Sequence, residues 1–259
     1  MDIFVCIKQV PSTNKVQVDE KTGVLKRDGV ESKMNPYDLY ALETALKLKE
    51  AAGGRVVVGT MGPPQAEKVL REALQMGADE AYLFSDRRLG GADVLATSYT
   101  LAQAIQTIGD FDLILCGKQT TDGDTAQVGP AIAEHLNIPH AAWVSAVQVQ
   151  AAGVCAEQQL QEVVETVWMP FPCLITVEQG IYTPRLPSLI RERMTRDAVI
   201  PVKGLDSFLD NDASHYGLEG SPTQVERIFP PESEIEQETW TEEEGVQNLL
   251  HWLKKQKFI

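Results

Sequence analysis

"FDLILCGKQTTDGDTAQVGPAIAEHL", Phe111 to Leu136, passes from a continuous apolar run through a loop of glycine, threonine and aspartate into a run with helical spacing. Leu-Ile-Leu-Cys reads as a strand covered on both faces, since no polar residue interrupts it at alternate positions. Val128, Ile132 and Leu136 recur at four-residue spacing, which places them on one side of a helix. In an open parallel sheet ligands gather beyond the carboxyl ends of the strands, and the loop from Gly117 to Asp124 occupies that position. The segment Asp124–Gln127 has the Asp-x-x-Gln form of a capping box, so the helix is expected to start near Thr125. Its first-turn N–H groups and positive dipole end would face the loop, where the hydroxyls of Thr120, Thr121 and Thr125 add neutral donors; a phosphate or pyrophosphate is the matching ligand. Asp122 and Asp124 oppose an anion unless they turn toward backbone amides, and capping is the expected way for them to do so. Two other readings stay open at this point: a capped turn with no ligand, and a hard cation at Asp-Gly-Asp, although nothing nearby completes the six or more oxygens such an ion wants.

Outward from that loop, "IFVCIK", "RVVVGTM" and "EAYLFS" alternate with the helical patterns "DLYALETALKLKEAAGG", "QAEKVLREALQMGA" and "DVLATSYTLAQAIQTI". This alternation is the signature of an α/β fold, a doubly wound and mostly parallel sheet. Leu39, Leu42, Leu46 and the stem of Lys49 form the inward stripe of one helix, which "AAGG" stops, and Gly77 stops the next. After Pro139 the rhythm changes to "WVSAVQVQAAGVCAEQQLQEVVETVWMPFPCLITVE", expected as an antiparallel extension of the same sheet. The expected division is residues 1–228 as a nucleotide-binding α/β domain and residues 229–259 as an acidic connector with a C-terminal helix. In that helix, "GVQNLLHWLKKQKFI", Val246, Leu249, Leu250 and Leu253 form an apolar stripe with Trp252 beside it. The stripe either folds back on its own core or reaches a partner subunit as an arm.

The chain has 259 residues, is 43% hydrophobic and carries a net charge of −14, enough apolar content for a sizeable core but repulsive to nucleic acid and to anionic membrane surfaces. Seven glutamates and no basic residue lie between Pro230 and Gly245, the composition of a solvated connector. No apolar run approaches the roughly 20 residues that span a bilayer and no basic-then-apolar leader opens the chain, so a cytoplasmic protein without membrane insertion is expected. Cys6, Cys116, Cys155 and Cys173 lie far apart with no Cys-x-x-Cys pair, which argues against a disulfide framework and against zinc or iron–sulfur sites. Neither a Gly-x-Gly-x-x-Gly nor a Walker-type loop is present. There is no Gly-x-Ser-x-Gly elbow, and His135, His140, His215 and His251 show no metal spacing and no nucleophile partner. Redox function would therefore have to come from a bound cofactor. Other strand-to-helix turns can complete a nucleotide pocket at the same rim: Cys6 to Lys8, "KMNPYD" with Asn35 expected as a helix cap, and "TMGPP" with Met61.

These blocks resemble the beta subunit of electron-transfer flavoprotein. The resemblance runs almost end to end through "CIKQVP", "DGV", "MNPYDLYALETALKLKE", "MGPPQAEKVLREALQMGADEA", "ILCGKQTTDGDTAQVGPAIAEHL", "MPFPCLITV" and "SPTQVERIF", and is most specific at Gly117–Pro130. It implies a Rossmann-like, adenine-nucleotide-binding fold with a C-terminal partner-binding arm. The nucleotide would be held by Cys6, Ile7 and Lys8, by Asn35, Pro36, Tyr37 and Asp38, by Met61 and Thr97, and by Gly117, Thr120, Thr121, Asp122, Gly123, Asp124, Thr125, Gln127 and Val128. In one branch of the family that nucleotide is AMP. In the other, which "CIKQVP", "NPYDLYALETAL", "GADVLATSYTLA" and "DGDTAQVGP" resemble, it is FAD, which accepts hydride from NADH and bifurcates the electrons in anaerobic metabolism. The implied partners are an alpha subunit carrying a second FAD, a flavin dehydrogenase of the acyl-CoA or lactate type, and ferredoxin or flavodoxin as low-potential acceptor. Val94 stands where the pattern has threonine, with Thr97 retained. Thr183–Arg196 resembles the segment that docks the dehydrogenase, with Leu186 as anchor and Arg191 and Arg193 beside it, where lysines are usual. A reading of another class, a free-standing nucleotide-binding regulatory module, shares the same sheet.

Overall fold

The computed structural model of the chain describes residues 1–12, 31–225 and 239–259. The Asp28–Val30 block and most of the acidic connector, residues 226–238, lie outside the described residues. Those described fall into two units, residues 1–12 with 31–225 and residues 239–259, each taken by itself.

The first unit runs β1 (Asp2–Cys6), β2 (Gln9–Pro11), β3 (Ser32–Met34), α1 (Pro36–Ala52), β4 (Arg55–Met61), α2 (Glu67–Met76), β5 (Glu80–Phe84), α3 (Val94–Ile108), β6 (Leu113–Gly117) and α4 (Val128–Leu136). It continues through β7 (His140–Gln150), β8 (Gly153–Gln159), β9 (Val164–Pro170), β10 (Cys173–Val177), α5 (Leu189–Thr195) and β11 (Val202–Lys203). Among the described residues the main sheet has nine strands in the order β11-β5-β4-β1-β6-β10-β7-β8-β9, and β2 pairs with β3 separately. Every pairing from β11 across to β7 is parallel. The last two pairings, β7 with β8 and β8 with β9, are antiparallel.

Side chains alternate across the central strands, and the two faces receive different helices. Ile3 and Val5 pack with Leu42 and Ala45 of α1 and Leu70 of α2. Phe4 and Cys6 pack with Leu101 and Ile105 of α3 and Ile132 of α4. Burial on both faces accounts for the near-continuous Val, Ile and Leu of these strands, each such side chain contributing roughly 1.5–3 kcal/mol when removed from water. The chain builds outward from β1 to β4 and β5, then returns past β1 to lay down β6. Strand order therefore reverses between β1 and β6, and the space beyond their carboxyl ends is where open sheets of this kind form their ligand crevice.

The expected helix stops hold: Gly53, at φ 73°, ends α1, and Gly77, at φ 137°, ends α2 with its N–H on the Ala73 carbonyl. One strand departs from expectation. Cys173–Val177 is not part of the antiparallel extension but lies parallel between β6 and β7. All five of its residues are buried, as an interior strand requires, whereas β9 at the sheet edge is largely exposed. In the second unit, α6 (Glu242–Lys255) begins three residues before Gly245, so the end of the glutamate-rich stretch is helical.

Helix α4 comes down close on β10. A Cβ added at Gly129 would stand 2.4 Å from Thr176 Cγ2, and Thr176 is pinned because its Oγ1 accepts the Trp143 N–H at 3.1 Å. Gly129→Ala is expected to destabilise the chain by about 1–3 kcal/mol in urea unfolding, overpacking outweighing the helix-propensity gain of about 1 kcal/mol. A variant as stable as the parent would show that this helix can retreat.

Candidate functional site

The residues at the mouth of the crevice are tied together by Asn35 and Asp38. Pro36 opens α1, where its missing N–H costs nothing, and places Asn35 just ahead of the helix. The expected side-chain cap at Asn35 is not made. Its Nδ2 instead donates to Asp38 Oδ1 at 2.9 Å and to the Gln119 carbonyl at 2.8 Å, while its Oδ1 accepts the Thr121 N–H at 3.2 Å. Asp38 Oδ2 accepts the Lys8 N–H at 2.7 Å, and the Lys8 carbonyl accepts the Asn35 N–H at 2.8 Å. Two buried side chains thus join the end of β1, the start of α1 and the loop after β6. Gly117 is required by the same contact: a Cβ there would lie 2.5 Å from Asp38 Oδ1 and 2.7 Å from the Tyr37 carbonyl carbon.

Burial pushes the Asp38 carboxyl up to about 7, against the lowering effect of the Asn35 amide, the Lys8 N–H and charge, and the Gly117 N–H. Because the folded value lies above the ordinary carboxylate value of 3.8, the neutral carboxyl favours the fold at low pH, and that contribution drains away as pH rises from about 4 through about 7.

The loop itself is shaped by backbone strain. Asp124 and Ala126 sit at φ 52° and 55°, left-handed values that cost a residue with a Cβ roughly 1–2 kcal/mol. A right-handed helix cannot begin through them. Helix α4 accordingly starts at Val128 rather than near Thr125, and Gln127 precedes it without a side-chain cap. The capping box is not formed. Asp122 pairs with Lys8 Nζ at 2.8 Å, and Asp124 accepts from the Gln119 side-chain amide. Burial acts to raise the Asp122 carboxyl, but Lys8 and the loop donors outweigh it and hold it below its ordinary range. Both carboxylates are thus engaged by means other than capping, and the first-turn N–H groups of α4 have no side-chain cap from Gln127. Ala126 and Gln127, left-handed then right-handed, turn successive N–H groups to one side, an arrangement that receives anions. Gly123 donates its N–H to Thr120 Oγ1 at 3.3 Å, and a Cβ added to it would meet only that oxygen, at 3.2 Å, so space remains beside it. These features fit a phosphorylated nucleotide.

Met61 and Val128 pack against the same cluster as Cys6, on the face of α3 and α4. Ile7 turns the other way, into the core under α1 and α2. Thr125 lies between the two strained residues, and Thr97 is half-buried one turn into α3, whose first residue is Val94. In the docking segment Leu186 is 86% exposed and Arg193 is exposed. Arg191 turns inward, its guanidinium donating to the Leu74 and Ala78 carbonyls at the end of α2, and Arg185 holds the buried Glu43 at 2.8 Å. Sequence reasoning missed Lys118, Trp143 and Glu178. Trp143 sits at φ 59° beside a register shift in β7, with Lys118 Nζ 5.0 Å from its ring centroid, and Lys118 donates to Glu178 at 3.1 Å. A tryptophan at a bulge leaves no mark in a sequence pattern.

Asp38→Asn tests the electrostatic account of this mouth. The parent chain is expected to lose stability steadily between pH 4 and pH 7, and the variant to show a flatter profile over that window, read from urea midpoints at successive pH values. Identical slopes would mean that the Asp38 carboxyl ionises in the fold as it does in the unfolded chain.

The electron transfer flavoprotein domain model matches residues 22–203. The electron transfer flavoprotein subunit beta of Thermoanaerobacterium thermosaccharolyticum is 43% identical over the whole of both chains. A protein of Acetobacterium woodii named caffeyl-CoA reductase-Etf complex subunit CarD is 45% identical over 89% of this chain and 88% of its own. Protein FixA of Sinorhizobium fredii is 42% identical over 89% of this chain and 84% of its own. With the crevice between β1 and β6 and this likeness over its full length, the chain belongs to the electron transfer flavoprotein family, among its beta subunits.

Proposed function

We propose that this subunit holds FAD in the crevice between β1 and β6, receives hydride there from NADH, and bifurcates electrons between a docked flavin dehydrogenase of the acyl-CoA or lactate type and ferredoxin or flavodoxin. The observation that carries the reading is the mouth itself: both loop carboxylates are engaged by Lys8 and Gln119, while fixed backbone donors and the space beside Gly123 are left for a dinucleotide. Bound there, a flavin supplies two-electron acceptance and one-electron release, chemistry that no side chain of this chain carries. The chain's own part is positional. Asn35 and Asp38 hold the loop at a fixed height above β1 and β6, the uncapped turn of α4 binds phosphate, and the cluster of Cys6, Met61 and Val128 lines the apolar side. Likeness to CarD, whose name ties it to a caffeyl-CoA reductase complex, supports a dehydrogenase partner. Among the described residues no helix is long and apolar enough to cross a membrane; the place proposed for the chain is the cytoplasm, beside an alpha subunit.

A second reading, an AMP-binding subunit that relays electrons without bifurcation, is favoured by Val94, where a hydroxyl of the FAD-binding pattern is missing. Extraction of nucleotides from the purified complex with its alpha subunit separates the two. Two FAD per heterodimer and no AMP is the expected count; one FAD with one AMP selects the second reading. Asn35→Ala removes three hydrogen bonds at the mouth and is expected to cut nucleotide retention about 10- to 100-fold. Leu186→Ala is expected to weaken dehydrogenase docking about tenfold with nucleotide content unchanged, since an exposed apolar anchor acts only at the interface. Equal docking by parent and variant in a titration would remove Leu186 from the proposal.

A further inference from the structure

Beneath the loop, Cys6 of β1 and Cys116 of β6 stand opposite each other in parallel register. Both are free and buried, and their side chains turn into the same cluster under α3 and α4. Neighbouring strands run about 4.7–4.9 Å apart, inside the 4.4–6.8 Å that Cα atoms span across a disulfide. The two side chains leave the sheet on one side, which is the other geometric requirement. Their place is also specific: Lys8, two residues beyond Cys6, and Gly117, the residue after Cys116, are the two whose N–H groups hold Asp38.

We propose that Cys6 and Cys116 form a reversible dithiol–disulfide pair at the floor of the crevice, a modification site that ties the ends of β1 and β6 together. The oxidant is a small organic disulfide. Cys6, 9% exposed against 6% for Cys116, meets it first: the thiolate sulfur attacks one sulfur of the reagent, its S–S bond breaks, and one thiol leaves. Cys116 then attacks Cys6 Sγ, the mixed disulfide breaks, and the second thiol leaves. Two protein thiols become one disulfide, one reagent disulfide becomes two thiols, and the two protons pass to those products. The neighbouring Cys6, burial and Asp38 all raise the Cys116 thiol above its ordinary range, which disfavours its thiolate. This chemistry does not depend on which nucleotide the crevice takes.

Peptide mapping tests it. The full-length chain with its partner subunit is incubated with bis(2-hydroxyethyl) disulfide, the remaining thiols are alkylated, and the protein is digested with trypsin without reduction. Cys6 falls in peptide 1–8, Cys116 in peptide 89–118, and Cys155 and Cys173 together in peptide 119–185, so a Cys6–Cys116 link is distinguished by mass from any link that involves Cys155 or Cys173. The expected product is peptide 1–8 joined to 89–118, lost on reduction and absent from Cys6→Ser and Cys116→Ser variants. A bond formed within the native fold closes a loop of about 110 residues in the unfolded chain, so the oxidised protein is expected to melt about 5–10 °C higher than the reduced one. Separate alkylation of both cysteines would overturn the proposal. So would a linked product that melts lower, because the bond would then be forming only by distortion of the sheet.

Discussion

A buried carboxyl under a loop is the constraint on which the mouth of this fold depends. Asp38 sits in the protein interior at the first turn of α1, and a carboxyl taken out of water is costly unless its oxygens are met by donors. The donors that meet it come from three places far apart in the chain: Lys8 after β1, Asn35 before α1, and Gly117 at the end of β6. Each is a main-chain group or an amide at the end of an element, so satisfying the carboxyl aligns the elements themselves. Asn35 then passes the alignment upward, holding Gln119 and Thr121 from below. The loop is thereby placed by the sheet rather than by its own sequence.

That placement explains why the loop tolerates strain. Left-handed Asp124 and Ala126 would relax in an isolated peptide, and the local pattern Asp-x-x-Gln would be free to cap a helix. With Thr121 held by Asn35 and Asp122 held by Lys8, the chain must turn more sharply to reach Val128, and the left-handed residues are how it turns. The result serves an anion better than the expected cap would have done. A capping carboxylate occupies the N–H groups of the first helical turn, whereas here they are left without one.

The same division between local and distant causes marks what could be read from the sequence. The alternation of buried strands and amphipathic helices, the glycine stops at Gly53 and Gly77, and the rim turns that meet at the crevice were legible because each rests on a few consecutive residues. The start of α4 was misread since the Asn35 and Lys8 contacts that override the capping box come from 86 and 114 residues away. Cys173–Val177 was misplaced because a five-residue apolar run states that it is buried on both faces but not which strands flank it. Arg191 was expected beside the Leu186 anchor in the docking segment. Its inward turn follows from the unpaired carbonyls at the end of α2, which no charge pattern announces.

The electrostatics of the mouth follow from how its cations are already engaged. The chain carries a net charge of −14, and among the described residues the lysines beside the loop are already paired, Lys8 with Asp122 and Lys118 with Glu178. Among the described residues, attraction for a phosphate therefore rests on main-chain dipoles fixed by the fold, which need no reorganisation when the ligand arrives. Dipoles fixed in this way recognise the phosphate end of a nucleotide by position, and AMP and FAD share an adenylate. The phosphate end alone cannot choose between them. On the proposed reading the choice falls to residues that meet the remainder of the molecule, and there two features pull apart: Gly123 leaves room that any side chain would narrow, while Val94 withholds a hydroxyl that threonine would supply. Space is the stronger of the two, since a missing hydrogen bond costs about 1 kcal/mol and water can replace it, whereas a side chain in the path of a ring system excludes it altogether.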